Sequence, residues 1–479
     1  MEAEVLIVGL GPVGAVLAGL LGQRGVRVIV VEKETDPYPL PRAVHFDHEI
    51  MRLFQQLGVA EQVLAHVRDV PDYEFRNAAG EVLMMLPPAR ETPSGWGGGY
   101  MFHQPGLEAV LRERLTALPS VEVRIGVRLD GFSQGSDGVV AEVVGADGAE
   151  TIRARYLVGC DGASSPVREA IGGGLFDYQF DEPWLVVDVR AGEDCTTPRR
   201  NIQLCDPARP TTCVLSGPGR HRWEFMLLPG EDPEAMRTDA AVRALLAPWN
   251  CGPVEIERRA VYRFHGLVAN RWRDGRALIA GDAAHQTPPF AGQGMCAGVR
   301  DAANLAWKLA AVLRGEAGEA LLDTYQAERE PHVRAAIELA IGMGRVVCLL
   351  DPAAAAQRDA GMLAARESGA PPLPPLAPRP FAEGCILPGA AAAGTMFPQP
   401  RADEARLDDV IGDGPWLLSR DTLDDPALAP FRAPLEGWLD RHGVEAVLVR
   451  PDRYIFGTGE AAALLAAWTR VTRPAMEAA

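Results

Sequence analysis

Several features that would place a chain in a non-enzymatic or membrane class are missing from these 479 residues. No run is long and apolar enough to cross a bilayer. The apolar stretch at 5–20 is broken by glycines and has no basic leader, so it reads as core and not as an export signal. Excess positive charge is absent. The 47 basic and 64 acidic residues give a net charge of −17, which argues against nucleic acid or an anionic membrane as partner. The eight cysteines (160, 195, 205, 213, 251, 296, 348 and 385) include no CxxC pair, so neither a zinc site nor a dithiol site is indicated. Without a signal peptide they are expected to stay reduced in a cytoplasm. Internal repeats and a second nucleotide-binding fold are also missing. Lysine is scarce beside arginine. What remains is a chain with 47% hydrophobic residues, enough for large cores, and a length that predicts two or three domains.

Three glycine-anchored segments stand out against that background. In the first, Val5–Val8 is a short apolar run suited to a buried parallel strand, and Gly9-Leu10-Gly11-Pro12-Val13-Gly14 follows it directly. Gly9 permits a tight turn, Gly11 lets the backbone approach a pyrophosphate, and Gly14 lets the next helix pack on the sheet. Pro12 fits the first helical turn, where its missing N–H costs nothing. The helix over 15–24 would present its N-terminal N–H groups and dipole to an anion. A second strand over 26–31 leads to Glu32 and Lys33, and a carboxylate at that point can accept both ribose hydroxyls. It would repel a 2′-phosphate, so the dinucleotide is FAD or NAD.

The second segment is Gly159-Cys160-Asp161-Gly162-Ala163-Ser164-Ser165-Pro166-Val167-Arg168. The third runs Ala277–Ala280, Gly281-Asp282, then Gly292-Gln293-Gly294-Met295 at the start of a helix over 295–314. Asp282 at a strand end is placed to hold ribityl hydroxyls. The glycine-rich helix start can set N–H groups and a positive dipole beside a ring that becomes anionic on reduction. Taken together, the three segments resemble the dinucleotide fingerprint, DG motif and GD motif of the class A flavin monooxygenases, the single-component aromatic hydroxylases. The resemblance runs through the whole chain and is nearest to 3-(3-hydroxyphenyl)propionate hydroxylases. It is carried further by Pro41-Arg42-Ala43 with Asp47 and Glu49, by 221–226, by Met396-Phe397, and by Arg450-Pro451-Asp452-Arg453.

That resemblance implies FAD as cofactor, NADH or NADPH as donor and molecular oxygen as co-substrate, with oxygen delivered to a phenol through a flavin C4a-hydroperoxide. It implies an α/β fold: a Rossmann-like FAD-binding domain, an inserted mixed β-sheet substrate domain and a C-terminal thioredoxin-like domain. The expected segments are 1–75, 102–180 and 266–350 for the cofactor domain, the last ending in long helices. Residues 76–101 and 181–265 are expected to form the substrate domain, 351–380 a proline-rich linker, and 381–479 the C-terminal domain. Carried over residue by residue, it gives Arg42 a contact to the FAD during flavin movement and Gln104 a place at the ribityl–phosphate region. Leu129 takes a backbone contact to adenine, Pro289 a carbonyl facing the substrate hydroxyl, and Asn304 the flavin ring edge. His45 is the candidate base for the phenol, since imidazole titrates near neutral pH. Arg222 could bind a substrate carboxylate; Phe225 is the other candidate substrate contact, although with Trp184 and Trp223 it also reads as sheet core. His285 reads as structural. A homodimer is possible. A polyketide- or antibiotic-tailoring hydroxylase, a Baeyer–Villiger member, and a flavin reductase without oxygen insertion are the alternatives.

Overall fold

The structure is a computed structural model that describes residues 2–36, 42–192, 194–369 and 379–473. Pro41 of the Pro41-Arg42-Ala43 match and the prolines of 371–378 lie outside the described residues.

A six-stranded sheet is assembled from distant parts of the chain. Its order is Arg273–Asp274, Ala277–Ile279, Tyr156–Gly159, Val5–Val8, Val28–Glu32, Val121–Ile125. All neighbours are parallel except the short 273/277 pair. Val5–Val8 is buried along its whole length, as a strand covered on both faces must be. Helix Pro12–Gln23 leaves it at once, three residues earlier than the sequence suggested, because Pro12 occupies the first turn. Strand 28–32 ends on Glu32. Arg128–Gly135, Gly138–Gly145 and Gly148–Ala154 form a separate antiparallel meander.

The second large layer is an eight-stranded sheet ordered His285–Gln286, Val254–Ala269, Leu175–Ala191, Arg220–Met226, Thr211–Leu215, Asn201–Leu204, Tyr73–Arg76, Val82–Leu86. Side chains alternate between its faces with period two. Leu185, Val187, Val189, Trp223 and Phe225 share a core with Val242 and Leu246 of helix Asp239–Leu246, which defines the outer face. Trp184, Val186, Asp188, Arg222, Glu224 and Met226 therefore occupy the inner face.

Helices Gly294–Leu313 and Ala320–Val347 connect the two layers to the C-terminal unit. Within the stretch expected as linker, Pro352–Glu367 is instead helical, N-capped by Asp351, and packs beside Val82–Leu86. The C-terminal unit has a three-stranded antiparallel sheet, Trp416–Ser419, Ala446–Val449 and Ile455–Gly459, with helices Arg432–His442 and Ala461–Thr472. Its own core includes Phe397, Leu407, Phe431 and Trp438. Buried ion pairs hold it to the rest: Arg52 to Asp408 at 2.7 Å, and Arg450 to Glu328 at 2.7 Å. No helix among the described residues is long and apolar enough to cross a membrane.

Candidate active site

The three glycine segments meet at one crevice. Gly9 adopts φ +102°, and a Cβ there would collide with the Cys160 carbonyl, so fingerprint and DG turn touch backbone to backbone. At Gly11 the opposite holds: a Cβ would meet no protein atom within 4 Å. The surface over Gly11 is thus open space at a helix N-terminus that no side chain caps. Val13 presses on Gly281 and Gly298, which brings this helix start against the GD turn and helix 294–313. That second helix also lacks a side-chain cap and has no acidic residue in its first turn. Gly292, Gln293, Gly294 and Met295 are all partly exposed at its mouth.

The acids are arranged around the same crevice. Glu32 accepts the Leu10 N–H at 2.8 Å and the Glu34 N–H at 3.0 Å, which fixes its carboxylate at the strand end. Lys33 is exposed beside Glu34. Asp161 accepts the Val167 N–H at 3.2 Å with one oxygen, while its Oδ1 is buried with no partner among the described residues. Asp282 opens onto the crevice. Surrounding protein pushes its carboxyl up, and His285 and Arg42 pull it back. Arg168 spans the two motifs, donating to the Ala283 carbonyl at 3.1 Å and the Ala163 carbonyl at 2.8 Å.

Behind the crevice, His285 shares a 2.6 Å hydrogen bond with Asp301, which also accepts from Gly281 N–H and Arg329. His285 is therefore structural, as the sequence suggested. Arg300 bridges Gln293, Asp47 and Glu49, tying the helix mouth to the segment after Arg42. Although burial opposes it, the Arg300 guanidinium holds the Asp47 carboxyl down at about 2.

Other predicted residues fall in and out of place. Arg42 is exposed, and its backbone is clamped: Gln104 Oε1 accepts the N–H groups of Arg42 and Ala43 at 2.9 and 2.7 Å. Gln104 is thus a buried positioning side chain. His45 lies against the helix mouth, with Nδ1 3.4 Å from the Gly292 carbonyl; burial pushes its pKa down. The Pro289 carbonyl accepts the Gly292 N–H at 2.8 Å, leaving one lone pair. Leu129 buries its side chain in the meander. Cys160 and Cys296 border the crevice with thiols pushed up by burial.

Three expectations need correction. Asn304 does not reach the crevice, because its face of helix 294–313 turns to the C-terminal unit, where it donates to Glu328 at 2.6 Å and Asp452 at 3.3 Å. Arg222 is engaged by Asp188 at 2.7 and 3.1 Å and donates to the Arg42 carbonyl at 2.7 Å, so it braces the Arg42 loop. Phe225 lies in the outer-face core, away from the site. The sequence reading missed the inner-face row Gln203, Thr212 and Glu224, although alternation in Arg222-Trp223-Glu224-Phe225 carried the signal.

Fold and site together define a dinucleotide-binding oxidoreductase with a second sheet roofing its cofactor crevice. The family model described as FAD binding domain matches residues 2–340, and the chain belongs to that family. It is 40% identical over 502 residues to the probable NADH-specific resorcinol 4-hydroxylase of Rhodococcus jostii (strain RHA1), with 97% of this chain and 93% of that protein covered. It is 38% identical over 513 residues to a 3-(3-hydroxy-phenyl)propionate/3-hydroxycinnamic acid hydroxylase of Mycolicibacterium smegmatis, covering 95% and 90%. Among solved structures it resembles aklavinone-11 hydroxylase in complex with FAD and aklavinone, at 27% identity and TM-score 0.80, with 98% and 99% covered.

Proposed function

We propose that the chain hydroxylates a small phenol, with FAD as resident cofactor and NADH as electron donor. The observation that carries the reading is the open cradle over Gly11, set between two uncapped helix N-termini. The residues fit FAD: the backbone N–H groups of Gly11, Val13 and Gly14 for the pyrophosphate, Glu32 for the ribose hydroxyls, and Asp161 and Asp282 for further hydroxyls. The helix start at Gly292–Met295 fits the ring. Bound there, FAD would supply the redox chemistry, carrying two electrons from NADH to molecular oxygen so that one oxygen atom enters the phenol and the other leaves as water.

The chain's own residues do the rest. Gln104 and Arg222 fix the backbone of Arg42, so that side chain is presented from a braced loop. With Nδ1–H given to Gly292, neutral His45 keeps an Nε2 lone pair for the phenol proton. Its lowered pKa holds it in the base form at neutral pH. The remaining lone pair of the Pro289 carbonyl can accept from a substrate hydroxyl. Trp184 packs edge-on to Phe290 at 5.7 Å and closes the apolar end of the site, which limits water.

The test follows NADH oxidation by the purified flavoprotein with and without a panel of phenols, with products analysed by mass. Stimulated oxidation with a gain of one oxygen is expected. Stimulated oxidation without oxygen gain would replace the hydroxylase with a flavin reductase.

A further inference from the structure

We propose that the inner face of the eight-stranded sheet carries a hydroxyl-recognition wall centred on Glu224, fitting the site to a benzene ring with two or more hydroxyl groups and no carboxylate. The proposal rests on the hydroxylase reading and adds a substrate class to it. Gln203, Thr212, Glu224 and Val186 are successive ladder partners, so they form one transverse row on one face. On one side of that row, Trp184 meets Phe290 of the third glycine segment. On the other, Arg222 holds the Arg42 carbonyl. The row therefore faces the space between the two loops that border the crevice.

The chemistry of the wall is one-sided. The Glu224 side chain is 9% exposed, and no hydrogen bond to its carboxyl forms among the described residues. Arg222, at 3.8 Å, is already bonded to Asp188 and the Arg42 carbonyl. A largely buried carboxyl held by no hydrogen bond gains most from a ligand that brings a donor to it. Beside it, Gln203 Oε1 accepts from both Tyr73 Oη at 3.1 Å and Thr212 Oγ1 at 2.8 Å. Those two hydroxyls have committed their protons, and their oxygens are left as acceptors. A wall of acceptors matches a ligand rich in O–H donors. Asp188 is already paired with Arg222 and Arg258, so the acceptor that a substrate carboxylate would meet without a donor to offer is the Glu224 carboxyl.

Equilibrium titration of the holoenzyme, read from the flavin absorbance, tests this with resorcinol and with 3-(3-hydroxyphenyl)propionate. The wild type is expected to bind resorcinol at least about ten-fold more tightly. Glu224→Gln should raise the resorcinol Kd about ten-fold or more, as loss of a hydrogen bond to a charged acceptor predicts. It should leave the carboxylated phenol unchanged or better bound, with FAD content retained. Should Glu224→Gln lose FAD, Thr212→Val decides instead, with a resorcinol Kd raised about three-fold or more. Preference for the carboxylated phenol in the wild type, or an unchanged resorcinol Kd in the deciding variant, would overturn the wall. An unchanged Kd together with oxygen gain by some phenol overturns the wall and leaves the hydroxylase reading standing. Tight resorcinol binding without oxygen gain by any phenol removes the hydroxylase and leaves the wall as a ligand site.

Discussion

At the scale of single residues, the two fingerprint glycines do different work. Gly9 is needed by the protein itself, since any side chain meets the Cys160 carbonyl in a backbone conformation that L residues rarely adopt. Gly9→Ala should cost several kcal/mol, on the order of 3, visible as a lower Tm even in apoprotein. Gly11 is needed only by what lies over it. Gly11→Val should fold with a near-normal apoprotein Tm yet bind FAD about a hundred-fold more weakly or not at all. A yellow, fully loaded Gly11→Val protein would move the pyrophosphate elsewhere. These positions were readable from sequence because steric demands within one turn are local.

Elements are joined by buried charge, and there the sequence was less open. Asp47 both caps helix His48–Gln56 and pairs with Arg300 on helix Gly294–Leu313. Its folded pKa of about 2 lies below the ordinary aspartate value of 3.8. A depressed carboxylate stabilises above its unfolded pKa, and the contribution is lost as pH falls through the folded one. The window is therefore about pH 4 down to 2, worth about 2 kcal/mol. Asp47→Asn keeps a good N-cap while removing the charge. Urea unfolding should show it less stable at pH 6 and less dependent on pH within that window. An unchanged acid profile would show that other carboxylates govern it. Why Asn304, Arg222 and Phe225 were misread follows from the same scale. The strand and helix were recognisable, but which face meets the crevice depends on what packs behind. For Phe225 that is helix 239–246, and for Asn304 it is Glu328 and Asp452, both far away in sequence. Arg222 faces the right way but is taken by Asp188 on a neighbouring strand.

For the whole molecule, Glu328 is the pivot between the long helices and the C-terminal unit. It binds Lys308 at 2.9 Å, Arg450 at 2.7 Å, Asn304, and the Cys385 N–H at 2.7 Å. Glu328→Gln removes the carboxylate that pairs buried Lys308 and leaves Arg450 with Asp452, and should cost about 3–5 kcal/mol. Limited proteolysis should then cut within 379–473 sooner than in the wild type, and an unchanged pattern would deny the pivot. The proline-rich stretch suggested a stiff linker to a C-terminal domain; buried ion pairs hold that unit against the body. The distribution of thiols has a consequence for working life. Enzymes that reduce oxygen shed some of it as hydrogen peroxide, which attacks thiolates and spares thiols. Burial pushes up seven of the eight cysteines, those at 160, 205, 213, 251, 296, 348 and 385, so each stays protonated. Peptide mapping after peroxide exposure should find Cys195 oxidised first, and early oxidation of Cys160 or Cys296 would contradict this. By keeping its sulfur protonated, the fold tolerates the by-product of its own turnover.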